Sequence, residues 1–153
     1  MIVYRLGKQQ YILDLTGRGA ELIGRRWNSH GIPMVYTSHS RALCTVEVAV
    51  HMSTGILPID FEIVTIHIPD DAPITETPLT NLDPDWKSFP YVRSTQLIGN
   101  AFILKTEYLV MKVPSAVIPG DLNYLINPRH PDIHLVKIIQ REPYSFDQRL
   151  FKR

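Results

Sequence analysis

The sequence predicts a single α+β domain, and three observations carry that expectation. The chain has 153 residues, enough for one hydrophobic core and too few for two comfortable ones, so residues 1–153 read as one unit. Short β-branched runs bounded by Gly and Pro recur along it, which is the signature of strands. Between them lie two stretches, around Leu43 to Val50 and Thr95 to Lys105, whose apolar residues fall at helical spacing.

Ile2-Val3-Tyr4-Arg5-Leu6 reads as the first strand, followed by a polar-to-mixed stretch through Gly17 and Gly19. Gly31-Ile32-Pro33 is turn chemistry, and Met34-Val35-Tyr36-Thr37 after it reads as the second strand. Val46-Glu47-Val48-Ala49-Val50 alternates like a strand, yet Leu43, Val46, Glu47 and Val50 also share one helical stripe that Ser38 or Ser40 could cap. About a dozen residues without Gly or Pro is long for a strand, so a helix is expected, with Glu47 on or beside its buried face. Phe61 to Ile68 is apolar on both faces and reads as a central strand. Prolines at 69, 73, 78, 84 and 90 predict a long surface loop or lid without regular structure. Thr95 to Lys105 predicts a helix that packs Leu97, Ile98, Ala101 and Phe102, with Gly99 and Asn100 opposite. Tyr108 to Val113 reads as a strand stopped by Pro114, Asn123 to Pro131 as a turn-rich run, and Ile133 to Ile139 as a last buried strand.

Charge and composition narrow the function. A net charge of +1 gives no broad field for gripping nucleic acid, so phosphate must be met by local residues. Arg18, Arg25 and Arg26 form the one dense basic cluster. No stretch is long and apolar enough to cross a bilayer, and Met1 to Leu6 turns polar at once, so a cytoplasmic protein with no membrane partner is expected. A single cysteine, Cys44, excludes an internal disulfide framework.

Glu47 is the most informative position. An ionised carboxylate among valines is costly unless a cation meets it, and a carboxylate so placed stabilises an oxocarbenium-like transition state when a glycosidic bond breaks. The structural alternative is a glutamate that reaches water from the edge of the stripe. Arg26, between Gly24 and Trp27-Asn28, offers a planar fork for phosphate or carboxylate, against the alternative of an ordinary surface ion pair. Tyr36, near a strand end, presents a ring able to stack on a flat cationic heterocycle, or simply packs. Ser115, after Pro114, places a hydroxyl for a ribose or amide group, or caps a turn; no Gly-x-Ser-x-Gly elbow surrounds it. His130, Asp132 and His134 have metal-like spacing, but Pro128 and Pro131 forbid the helix that would give it meaning, and no metal site is assigned. Cys44 reads as a buried thiol, and Gly17-Arg18-Gly19 lacks the strand-then-helix context of a phosphate loop.

Taken together, the stretches Tyr4-Arg5, Gly24 to Ser38, Glu47, Val113 to Pro119, Asn123 to Asp132 and Phe146 to Leu150 resemble the RES-domain family, toxins of bacterial type II toxin–antitoxin pairs. The matching stretches run across nearly the whole chain in the family's order. One departure is Arg25, where the family commonly carries a second glycine before its arginine. The resemblance implies a fold similar to ADP-ribosyltransferase toxins, with a mixed sheet core and flanking helices. It also implies an activity that cleaves NAD at the nicotinamide–ribose bond, with NAD as substrate and no separate cofactor. In such a site Arg26, helped by Arg5, would hold the dinucleotide's phosphates and Tyr36 would stack on the nicotinamide. Glu47 would face the ribose, and Ser115 would orient the ribose or nicotinamide. The acceptor would be water, inorganic phosphate or a protein side chain, the last making the chain a mono-ADP-ribosyltransferase. The implied partner is an antitoxin with an Xre-type helix-turn-helix domain that blocks the cleft, DNA being bound only through the complex. The non-enzymatic alternative is a scaffold domain in which Arg26 and Glu47 pair with each other.

Overall fold

The computed structural model describes residues 1–53 and 55–152. Seven strands form one mixed sheet: β1 (Ile2–Lys8), β2 (Val35–Ser38), β3 (Phe61–His67), β4 (Ile74–Glu76), β5 (Val110–Pro114), β6 (Leu122–Ile126) and β7 (Lys137–Tyr144). Their order is β4-β5-β6-β2-β1-β3-β7, antiparallel throughout except for the parallel pair β4–β5. Three helices accompany it, α1 (Arg18–Ile23), α2 (Arg41–Ala49) and α3 (Arg93–Lys105). The expected α+β domain is found, and no described helix is long and apolar enough to cross a membrane.

Alternation along the strands explains why both sheet faces are covered. On β5 and β6, Val110 and Ile126 join one core cluster with Val3, Val64 and Ile66. Their neighbours Met111 and Leu125 join another with Trp27, Trp86, Phe102 and Ile103. A third cluster gathers Leu6, Cys44, Phe61, Ile63 and Phe146 beneath α2. Burying a residue of Leu or Ile size contributes about 1.5–3 kcal/mol, so these clusters hold the sheet together.

Four sequence expectations are corrected. Asn123 to Ile126 is not a turn but most of β6, paired with β2 from Val35↔Ile126 to Ser38↔Asn123. The last strand is shifted: Pro131–Leu135 is a 3-10 turn capped by His130, and β7 begins only at Lys137, largely exposed at the sheet's edge. The proline-rich segment contains β4, because a proline loses its N–H but keeps its carbonyl. The Pro73 carbonyl accepts from Leu109 N at 2.9 Å, and Thr77 N donates to Lys112 O at 2.9 Å. In α3 the buried residues are Thr95, Gly99, Phe102 and Ile103, while Leu97 stands 50% exposed. Gly99 is there because a Cβ at that position would stand 1.6 Å from the Trp27 carbonyl oxygen.

Candidate active site

β1 and β2 register at one pair, Tyr4 opposite Ser38. A cleft of about 820 Å³ opens beside that junction, lined by Arg5, Arg25, Arg26, Tyr36, Glu47, His51 and Asn123 among others. The arginines arrive on a tight turn. Gly24, at φ 66°, ends α1 with its N–H on Ala20 O, and Arg25 N donates to Asn28 O at 2.9 Å. Asn28 is fully buried and staples this turn: Nδ2 donates to Ala20 O at 2.9 Å and Ile32 O at 2.8 Å. Helix α3 braces it from behind through Gln96 Nε2 to Arg25 O (3.0 Å) and Asn100 Oδ1, which accepts from Ser29 N (2.9 Å).

Arg26 is half-buried, with Nη1 donating to the carbonyls of Trp86 (2.5 Å) and Ser88 (3.2 Å). Its guanidinium carbon lies 5.2 Å from the Tyr91 ring centroid and 5.9 Å from that of Trp86, within cation–π range. Burial lowers its pKa, opposed by Tyr91, Glu47 and Tyr36. The far end of the proline-rich segment is therefore latched to the site, with Phe89 and Tyr91 in the cleft wall.

Tyr36 spends its hydroxyl on the scaffold. It accepts from Trp27 N at 3.1 Å and donates to Asn28 Oδ1 at 2.8 Å, and burial raises its pKa. What remains for a ligand is the ring. Arg5, on β1, donates Nη1 to Ile12 O at 3.2 Å and to Asp14 O, and its pKa is lowered by burial.

Glu47 sits on α2, whose N-cap is Ser40, the hydroxyl accepting from Leu43 N at 3.1 Å. It is half-buried, and its Oε1 accepts from Ser115 Oγ at 2.7 Å and Asn123 Nδ2 at 2.6 Å. Ser115, 2% exposed, is itself fixed because its Oγ accepts from Val117 N (3.1 Å) and Ile118 N (2.9 Å). Asn123 is fixed by Ser38 Oγ, which donates to its Oδ1 at 2.7 Å. Oε2 has no hydrogen bond among the described residues. One carboxylate oxygen is thus immobilised and the other carries no hydrogen bond among the described residues, an arrangement suited to meeting developing positive charge.

The structure brings Arg5, Arg26, Tyr36 and Glu47 to one cleft, with Ser115 behind Glu47. Arg26 and Glu47 form no ion pair with each other among the described residues; each is held by other partners, which disfavours the pairing expected of a scaffold. The sequence reading missed Asn123, Ser38 and Asn28. No local signal marks Asn123, because the register of β6 on β2 is what sets it opposite Ser38. His130 and His134 use Nδ1 on Asp132 N (3.0 Å) and Pro131 O (2.9 Å), and no group of three potential metal ligands occurs among the described residues. Burial pushes the Cys44 thiol up to about 12.

Comparison with known proteins gives the family. The RES domain profile matches residues 2–147. A protein named Toxin Res from Pseudomonas putida is 36% identical over 155 residues, covering 99% of this chain and 100% of that protein. The Prs ADP-ribosylating toxin of a Sphingobium species is 34% identical over 142 residues, covering 92% and 88%. Among solved structures, the M. tuberculosis MbcT–MbcA toxin–antitoxin complex contains a chain of the same fold, with a TM-score of 0.71 at 18% identity, covering 98% of this chain and 86% of that one. With a domain profile spanning nearly its whole length and a relative matched end to end, the chain belongs to the RES-domain family, the family of the Res toxins.

Proposed function

We propose that this protein is the toxin of a toxin–antitoxin pair and that it acts on NAD, breaking the bond between nicotinamide and ribose. The observation that carries the reading is Glu47, with Oε1 fixed by Ser115 and Asn123, Oε2 without a hydrogen bond among the described residues, and the side chain lining one cleft with Arg26 and Tyr36. As the C1′–N bond breaks, its electron pair passes to the nicotinamide ring, which leaves neutral, and positive charge develops on the ribosyl carbon. A carboxylate already in place stabilises that state more than it stabilises bound NAD. Tyr36 stacks on the departing pyridinium, and Arg26 with Arg5 holds the phosphates. Ser115, its hydroxyl committed, acts on the ribose through Glu47. NAD is the substrate, and no separate cofactor takes part.

Three acceptors are compatible with this site. Water or inorganic phosphate makes the protein an NAD glycohydrolase or phosphorylase that depletes cytoplasmic NAD. A protein side chain makes it a mono-ADP-ribosyltransferase, a reading favoured by the relative named as a Prs ADP-ribosylating toxin. The antitoxin, an Xre-type helix-turn-helix protein, covers the cleft and brings the complex to DNA; the toxin–antitoxin complex of the structural neighbour supports an antitoxin partner as such. The test is nicotinamide release from NAD by purified protein, with Arg26→Ala and Glu47→Ala for comparison. Loss of release in both variants is expected, and undiminished release in both would remove the mechanism. Labelled NAD added to a lysate separates the acceptors: free ADP-ribose marks water, ADP-ribose 1″-phosphate marks phosphate, and a labelled band marks protein.

A further inference from the structure

We propose that Arg25, with Arg5 and His51 beside it, forms an anion subsite in the cleft that takes the diphosphate of a dinucleotide. This rests on the NAD reading of the same cleft and adds Arg25 and His51 to the residues proposed to hold the phosphates.

The backbone of Arg25 is pinned and its side chain is not. Its N–H and carbonyl are both bonded to Asn28, and Gln96 Nε2 adds a third hydrogen bond to the carbonyl. Arg5 and Arg26 each spend Nη1 on loop carbonyls. The half-buried Arg25 guanidinium makes no hydrogen bond or ion pair among the described residues. A planar fork so presented matches phosphate oxygens in pairs.

The local charge points the same way. Arg5, Lys8, Arg25 and Arg26 line the cleft, and among the described residues Glu47 is the one carboxylate that does. A chain of net charge +1 has therefore gathered cations around a single hollow, where their mutual repulsion is relieved by a bound anion. Arg25 is close enough to Arg5 and to His51 that its charge lowers the pKa of both.

His51 lies just beyond α2 and its C-cap Val50, its N–H on Val48 O at 3.1 Å, and lines the same cleft as Glu47. Burial first, then Arg25 and Arg26, hold the His51 imidazole below its usual value, with Glu47 opposing. A diphosphate brought beside the ring would raise its titration midpoint.

Calorimetry with inorganic pyrophosphate and with ADP-ribose, on the wild-type chain and on Arg25→Ala and Arg25→Gly, tests the subsite directly. Both variants are expected to bind each anion about tenfold to a hundredfold more weakly, and Arg25→Lys to fall between. The His51 proton resonance should titrate at higher pH when pyrophosphate is added. With NAD, Arg25→Ala should raise KM at nearly constant kcat, and with nicotinamide riboside, which has no phosphate, it should change neither. Equal anion affinity in wild type and Arg25→Ala, or no pyrophosphate binding by wild type, overturns the proposal. The two readings fail separately: pyrophosphate held through Arg25 without nicotinamide release removes only the reaction, and release with affinity indifferent to Arg25 removes only the subsite.

Discussion

Replacing Glu47 by Gln isolates its charge from its shape. The amide oxygen can take the place of Oε1 and keep the hydrogen bonds from Ser115 Oγ and Asn123 Nδ2, now at 2.7 and 2.6 Å, while an NH₂ replaces Oε2. Each bond falls from the charged class, ~1.5–3 kcal/mol, to the neutral class, ~0.5–1.5 kcal/mol. The half-buried negative charge that must otherwise be desolvated is removed at the same time. The two changes oppose, leaving a net loss of about 1 kcal/mol, or roughly 2–4 °C in Tm for a domain of this size. Catalysis has no such offset. Losing a preorganised electrostatic partner of the transition state costs about 2.7–4 kcal/mol, so kcat for nicotinamide release should fall on the order of 100- to 1,000-fold with KM little changed. Steady-state kinetics and a calorimetric melt on the same preparation make the measurement. Activity within about tenfold of wild type would refute the assigned role, since that is less than one such interaction contributes. A large fall in Tm accompanying the lost activity would equally show Glu47 to be a structural group.

Asn123→Ala removes one of the two donors that fix Oε1 and leaves Ser38 Oγ without its acceptor; kcat should fall about 10- to 100-fold at similar KM, with a stability loss of about 1–3 kcal/mol measured by urea titration. Gly99→Ala drives a methyl onto the Trp27 carbonyl, 1.6 Å away, so α3 must move off the arginine-bearing turn; a loss of at least about 1–3 kcal/mol and a raised KM for NAD should appear together. Cys44, its thiol donating to Tyr4 O at 3.6 Å and its pKa pushed up by burial to about 12, carries almost no thiolate at pH 8; iodoacetamide should leave the native chain unlabelled for hours and modify it promptly in guanidinium.

What the sequence discloses and what it hides divide along the range of the interaction. β1, β2, β3, β5, α2 and α3 are visible because period and turn residues are local signals. β6 is hidden because Asn123 and Tyr124 look like the opening of a turn; they are strand residues only because β2 and β5 pair on either side. The packed face of α3 is misread for a related reason. Counting large apolar side chains selects Leu97 and Ala101, whereas close approach to Trp27 demands Gly99, a residue with no side chain to count. In the site, Glu47, Arg26 and Tyr36 advertise themselves by being costly or unusual in context. Their partners do not: Ser115 and Asn123 lie 68 and 76 residues beyond Glu47, joined to it only by the sheet.

The pattern of hydrogen bonding separates a working cleft from a decorated surface. A structural polar group in a core uses all its bonding capacity inside the protein, and a surface one uses little of it. Tyr36 gives its hydroxyl to the Trp27 and Asn28 pair and keeps its ring; Arg26 gives Nη1 to the 86–88 carbonyls and keeps the rest of its fork. Glu47 gives Oε1 and keeps Oε2. Three side chains of different chemistry, on a turn, a strand and a helix, are each half committed, and all three line one hollow. Folding alone gives no reason for that coincidence, since the freed capacity lowers no native-state energy. The proposed reaction would: the committed half would limit reorganisation as charge develops, and the free half would be left for the transition state.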